Sequence, residues 1–165
     1  MDQQLENDER ESLPYLEQLL LWSMRAWVIG FRRSLPVADR LEEVFAGIGA
    51  PEAGTHLHGF LWALGQGARR LLAVDCVCRP QVSEDERRLL DILALYQAGR
   101  SLEAVLLLRS LATPQAALAA GDSATRLGAA LAAAGRLMSP RMLPTTRHAL
   151  VDEGGMVAPH RPTLH

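Results

Sequence analysis

Two closely spaced pairs, His56 with His58 and Cys76 with Cys78, carry the side chains best suited to metal binding or nucleophilic chemistry. Imidazole nitrogens and thiolate sulfurs are the ligands that zinc and related transition metals prefer. Residues two apart in a helix point about 200° from each other, so neither pair can chelate an ion from one face. A continuous helix would also place His58 and Cys76 roughly 27 Å apart. We therefore expect no metal site and no Cys–His catalytic pair along a single helix.

Two arrangements would still bring the histidines and cysteines together. In one, Gly65 and Gly67 break the helix into a hairpin. In the other, two chains cross antiparallel about Gly67, so that the histidine pair of one chain meets the cysteine pair of the other. This alternative predicts a small-ligand or metal-binding helical domain that holds zinc or a similar transition metal, with Trp62 as a ligand contact. In the simpler interpretation, which needs no cofactor, Cys76 packs as a small hydrophobic residue and the histidines flank the core.

Signals for enzyme activity are weak in this sequence. It contains no glycine-rich phosphate loop, no Gly-x-Ser-x-Gly elbow and no His-Glu-x-x-His motif. The acids at Glu42-Glu43 are typical of a solvated helix face, and those at 84–86 are explained by a helix N-terminus. Asp75 precedes Cys76, and a neighbouring carboxylate is expected to raise a thiol pKa and to oppose nucleophilic attack. The sequence therefore favours a protein that is not an enzyme.

The composition narrows the classes of protein further. The chain has 165 residues and a formal net charge of −2, which fits one domain and gives no electrostatic basis for binding nucleic acid. Two cysteines one residue apart are not a secreted disulfide framework, so we expect a cytoplasmic protein. The apolar run at 19–31 is shorter than the ~20 residues of a bilayer helix and has Arg25 at its centre, so no membrane span is expected. Arginine without lysine, beside many alanines and leucines, indicates a GC-rich bacterial genome.

The elements that must position these residues are predicted to be helices joined by short loops, forming a compact all-α bundle of about six helices. Proline, glycine and capping Ser or Thr mark the boundaries. The expected helices cover about 14–34, 36–47, 53–74, 83–99, 101–112 and 114–135, the last with a break allowed at Gly121-Asp122. Residues 13–138 are expected to form a single helical domain. An acidic arm at 1–12 precedes it, and an extended tail containing Pro and Gly follows at 139–165.

Four hydroxyl side chains are expected to cap these helices by accepting bonds from unpaired backbone N–H groups. The predicted N-caps are Ser12, Ser83, Ser101 and Thr113. With Glu86, Ser83 forms a capping-box pattern. The segment 95–108 resembles the turn of a tetratricopeptide repeat over about fourteen residues. No second copy follows at the period of that family, so the resemblance implies only a helical hairpin.

The first helix is apolar nearly all round its middle. Such a helix is either central in its own bundle or shared with another subunit, and the fifth helix shows the same excess at 105–108. We therefore expect a homodimer, and allow for another protein partner. The residues expected at this interface are Leu19, Leu20, Trp22, Trp27 and Phe31. Together with the missing catalytic motifs, this predicts a non-enzymatic interaction or assembly protein.

Overall fold

Six α-helices make up the part of the chain that the computed structural model describes, residues 10–139. They are α1 (Tyr15–Arg32), α2 (Val37–Ala46), α3 (Pro51–Gly67), α4 (Glu84–Gln97), α5 (Ser101–Leu111) and α6 (Pro114–Ala133). The predicted all-α bundle is confirmed: the described residues contain six α-helices and no strand, and an isolated bridge joins Ala68 and Ala112. Among the described helices, none is both long and apolar enough to cross a membrane.

The two predicted terminal segments, 1–12 and 139–165, lie almost entirely outside the described residues. The last residues of the predicted arm form a 3₁₀ turn at Arg10–Ser12. The backbone N–H of Arg10 donates to the carbonyl of Pro80 at 2.7 Å, which attaches this turn to the loop between α3 and α4.

Two of the four predicted helix caps are present. Ser83 Oγ accepts from the N–H of Glu86 at 3.1 Å, and Glu86 Oε2 accepts from the N–H of Ser83 at 2.9 Å, so the capping box of α4 is confirmed. The Thr113 side chain caps α6 by accepting from the backbone N–H of Ala116. The caps predicted at Ser12 and Ser101 are wrong, because the residues before α1 and α5 are proline and arginine and make no side-chain cap bond.

The predicted end of α3 at residue 74 is wrong, since the helix ends at Gly67. A Cβ at Gly67 would lie 2.4 Å from the Cβ of Ala116, so only glycine lets the chain pass this close to α6. The carbonyl of Gly67 then accepts from the N–H of Thr113 at 2.9 Å, which draws the chain away from the helix axis. Residues 68–82 consequently form a long irregular segment between α3 and α4.

The break allowed in the last helix does not occur. α6 runs without interruption through Gly121, where it passes under α4. A Cβ at that position would lie 2.4 Å from the hydroxyl of Tyr96, so the glycine serves close packing and not a bend.

The core is built around α3, which packs against α2 on one side and α6 on the other. A Cβ at Gly54 would lie 2.4 Å from the carbonyl carbon of Leu41 in α2, and one at Gly59 would lie 2.9 Å from Ser123 Oγ in α6. Small residues therefore permit the close approach that the Ala-rich sixth helix requires. α1 covers this core with fully buried side chains: Leu20, Leu21 and Met24.

Candidate functional site

Arg25 lies in the middle of α1 and is completely buried. Its guanidinium forms a bidentate ion pair with Glu86 of α4, in which Nε donates to Oε1 at 2.7 Å and Nη2 donates to Oε2 at 2.9 Å. The same guanidinium donates to the backbone carbonyls of Arg79 and Gln81, at 2.6 and 2.7 Å. These bonds compensate a charge whose burial would otherwise destabilise the core. We call Arg25 and Glu86 the buried ion pair.

Glu86 also receives backbone donors from the irregular segment. Its Oε1 accepts from the N–H of Asp75 at 2.9 Å, in addition to the capping bond from Ser83. Burial alone would raise the pKa of Glu86, but the hydrogen bonds from Arg25, Ser83 and Asp75 outweigh it and hold that pKa below its ordinary value. The bond from Glu86 in turn raises the pKa of Arg25. The pair therefore stays charged and fastens residues 68–82 to α1 and α4.

A second carboxylate, Asp85, holds the beginning of the same segment. It accepts from both terminal nitrogens of Arg70, at 2.7 and 2.5 Å, and from the backbone N–H of Ala73 at 2.8 Å. The hydrogen bond from Arg70 is the main reason that the pKa of Asp85 lies below its ordinary value. The acids at the start of α4, expected only to favour the helix N-terminus, therefore also organise the irregular segment.

Cys76 and Cys78 lie exposed in one turn of this segment, which we call the dithiol turn (residues 76–79). The backbone N–H of the fourth residue donates to the carbonyl of Cys76 at 3.1 Å and closes the turn. Arg10 supports it from the other side, since its Nη1 donates to the carbonyl of Val77 at 2.9 Å. The expectation that Cys76 packs as a small hydrophobic residue is therefore wrong.

The two thiols have opposite pKa shifts. The hydrogen bond from Cys78 lowers the pKa of Cys76, and the positive charge of Arg25 acts in the same direction. The same interaction raises the pKa of Cys78. The expected rise in the pKa of Cys76 beside Asp75 is wrong, because the hydrogen bonds from Cys78 lower it. The Asp75 carboxylate pairs with Arg79 at 3.2 Å. The turn thus presents one thiol with a lowered pKa beside one with a raised pKa.

Four aromatic rings from α1 and α3 pack together in what we call the aromatic cluster: Trp27, Phe31, His58 and Trp62. Trp27 and Phe31 are stacked, with ring centroids 5.0 Å apart and planes at 8°. Phe31 meets Trp62 edge to face at 5.6 Å and 75°. Trp27 Nε1 donates to His58 Nδ1 at 2.9 Å, so this imidazole nitrogen is already occupied. The cluster joins the two helices while leaving part of two rings exposed.

Two clefts border the aromatic cluster on the outer side of α1. The first, of about 370 Å³, lies between α1 and α2 and includes Trp22 and Val77 in its lining. The second, of about 560 Å³, extends towards α3 and Trp62. Leu35 and Val37 line both clefts, so the two clefts adjoin, and together they are the depression of this surface. We call this surface the aromatic face: the two clefts with the exposed side chains of Trp22, Phe31, Leu35 and Trp62.

The residues predicted for the interface divide between the core and this face. Trp22 and Phe31 are 42% and 47% exposed, and Leu19 is half-buried. Leu20 is fully buried, so it cannot contact a partner and its assignment to the interface is wrong. Trp27 is 6% exposed but lines the first cleft, so its assignment to the interface stays a prediction. The apolar periodicity of helix one did not distinguish its inner side from its outer side.

The residues predicted for a metal or ligand site do not come together within one chain. His58 and Trp62 belong to the aromatic cluster, whereas Cys76 and Cys78 lie in the dithiol turn. Among residues 10–139, no group of three or more His, Cys, Asp or Glu side chains is arranged to hold a metal ion. His56 is partly buried in α3. A site shared between two chains stays a prediction.

Sequence reasoning missed both features that dominate this region. The signal for the aromatic cluster was the spacing of two ring pairs, Trp27 with Phe31 and His58 with Trp62, because residues four apart are neighbours on a helix. From the sequence alone, the first pair is predicted at an interface and the second at a metal or ligand site. No local pattern reveals the buried ion pair, since its two residues are 61 positions apart.

Comparison with known proteins gives no relative for this chain. No protein-family model matches it, and neither does any curated protein or solved structure.

Proposed function

We propose that this chain is a non-enzymatic assembly protein that forms a homodimer through its aromatic face. The observation that carries the proposal is the exposure of large apolar side chains beside an apolar depression. Trp22, Phe31 and Trp62 are each more than two-fifths exposed, and Leu35 is 49% exposed. Exposed apolar groups that cluster around a concavity are characteristic of protein-binding surfaces.

A second copy of the chain is the occupant that this surface suits best. A two-fold interface requires one patch to be complementary to itself, so it needs both projecting and concave parts. Trp22 projects beside a cleft of about 370 Å³ whose lining is mainly apolar. In the proposed dimer, side chains that project from one protomer enter the depression of its partner.

The charges at the rim of this cleft also suit a two-fold partner. Arg40 and Glu43, both on α2 and both exposed, line the cleft with opposite charges. Within the described residues, neither Arg40 nor Glu43 forms an ion pair with any other side chain. Two copies related by a two-fold axis would bring the arginine of each protomer towards the glutamate of the other. Rim charges of this kind contribute mainly to orientation and specificity.

A second apolar surface, on α5, serves as the matched comparison. Leu102 and Leu106 are 84% and 69% exposed there. One nearby charge pair is already formed, because Arg100 pairs with Glu103 at 2.5 Å. This ridge therefore offers leucine side chains beside a paired Arg and Glu, with Arg109 as the other exposed charge of the helix.

The test is the oligomeric state by sedimentation velocity and native mass spectrometry of the full chain. Wild type and Leu106→Glu are expected to be dimers, and Trp22→Glu is expected to be a monomer. An anchor lost from the centre of an interface costs at least about 2 kcal/mol, or roughly a 30-fold weaker association. Circular dichroism on each variant checks that the helices remain.

Either of two outcomes would contradict the proposal. A wild type that is monomeric at high protein concentration removes the homodimer altogether. A dimer that survives Trp22→Glu and Phe31→Glu but separates with Leu106→Glu would move the interface to α5.

A further inference from the structure

We propose that the dithiol turn is a thiol–disulfide exchange site, in which Cys76 attacks a small-molecule disulfide and Cys78 closes an intramolecular disulfide. The chemistry needs neither the rings of the aromatic face nor a second chain, and the turn borders that face through Val77, which lines the first cleft. Its substrate class is a low-molecular-weight disulfide such as oxidised glutathione.

The position of the two thiols fits this chemistry. Residues two apart in a chain have Cα atoms separated by no more than about 7 Å even when extended, and a closed turn shortens that distance into the range that a disulfide spans. The turn is closed by the bond to the Cys76 carbonyl, and both thiols are exposed to solvent. An attacking disulfide therefore has access to either sulfur, and the second sulfur is within reach of the first.

Two guanidinium groups contact the backbone of the turn. The guanidinium of Arg25 donates to the carbonyl of Arg79, the residue that follows Cys78, and Arg10 donates to the carbonyl between the two cysteines. Exposed cysteines close to cationic groups, with a second cysteine nearby, are typical of redox-reactive thiols. The lowered pKa of Cys76 and the raised pKa of Cys78 agree with an attacking thiolate and a resolving thiol.

The reaction balances in two exchange steps. The Cys76 thiolate attacks one sulfur of the disulfide, a bond forms to that sulfur, and the other sulfur leaves as a thiolate that takes a proton from water. Cys78 then loses its proton to water and attacks the Sγ of Cys76, and the second small thiol leaves. The protein dithiol is oxidised by two electrons, and the small disulfide is reduced to two thiols.

The experiment uses the reduced full-length chain incubated with oxidised glutathione, followed by alkylation of the remaining thiols and intact-mass measurement. Wild type is expected to lose both alkylatable thiols, to become lighter by two hydrogen atoms, and to remain a single chain on a non-reducing gel. Cys78→Ser is expected to stop with one glutathione on Cys76. Cys76→Ser, the matched control, is expected to acquire its glutathione more slowly.

Three results would overturn the proposal: two thiols that stay alkylatable, glutathione accumulating on both cysteines without ring closure, or disulfides that join separate chains. Equal rates for the two single variants would overturn the assignment of Cys76 as the attacking thiol. The same reaction in Trp22→Glu is expected to proceed unchanged, so failure of the homodimer proposal does not affect this result. Both cysteines are exposed, so serine substitutions leave the core intact.

Discussion

The two sides of α1 reverse the usual distribution of residues. On the inner side, the charged Arg25 is completely buried, whereas on the outer side the indole ring of Trp22 is more than two-fifths exposed. Charged side chains are almost never fully buried unless they are paired. A large apolar side chain exposed beside an apolar cleft is equally unusual and indicates a binding surface. One helix therefore carries two exceptions of opposite kind.

The two sides differ in whether contacts within the same chain explain the unusual residue, which is a buried charge on one side and an exposed ring on the other. Every nitrogen of the Arg25 guanidinium donates to an acceptor in the loop or in α4, so its burial is explained by contacts inside one molecule. The exposed part of Trp22 has no such explanation inside the described residues. We therefore assign the inner side to stability and propose the outer side for binding.

The largest expected effect comes from breaking the buried ion pair. Arg25→Met leaves the Glu86 carboxylate buried without its counter-charge, and removing one partner of such a pair typically costs about 3–5 kcal/mol of the free energy of unfolding. Urea denaturation followed by far-UV circular dichroism measures this. The double variant Arg25→Met with Glu86→Leu removes both charges and is expected to recover part of the loss. A single variant as stable as wild type would contradict the stabilising role of the inner side.

Acidification is expected to lower the free energy of unfolding gradually, and by less than the loss of the buried ion pair. The pKa values of Glu86 and Asp85 are lowered by folding, so the unfolded chain binds more protons than the folded chain at acid pH. Their contribution to stability is present above the ordinary carboxyl pKa, near about pH 4, and is lost as the pH falls through the folded values. Thermal melts between neutral and acid pH measure the loss. Asp85→Asn is expected to flatten this dependence, and an unchanged profile would contradict the assignment to Asp85.

The smallest effect is expected on the outer side. Trp22→Ser removes a half-exposed ring and is expected to change the free energy of unfolding by no more than about 1 kcal/mol. The measurement is urea denaturation at a protein concentration low enough for the dimer to be dissociated. A loss as large as that of Arg25→Met, three residues along the same helix, would show that the ring is structural and would remove the contrast between the two sides.

Most of the fold was predictable from sequence because its boundaries are marked locally. The capping box at Ser83 and Glu86 and the proline after Thr113 specify where α4 and α6 begin, without reference to the rest of the chain. The end of α3 was not predictable in this way, because Gly67 ends the helix through its close contact with Ala116 on α6. Apolar periodicity alone extended the helix past that point.

The candidate site was predictable only in its residue types. Trp22 and Phe31 were expected at a surface, but the same pattern also selected the buried Leu20 and Trp27. Periodicity identifies the apolar positions of a helix and does not state which of them the neighbouring helices cover. Arg25 was interpreted only as an interruption of an apolar run, because its partner lies on a helix far along the chain.

That separation has a consequence for the order in which the molecule folds during its synthesis. Translation delivers Arg25 first and Glu86 only 61 residues later, so the cation has no counter-charge while α1, α2 and α3 leave the ribosome. The carbonyls and the carboxylate that accept from Arg25 all belong to residues 79–86, so they are made late. A nascent chain arrested before α4 is therefore expected to hold α1 loosely and to be open to protease there. We expect the emergence of α4 to be the step that fastens α1 to the bundle.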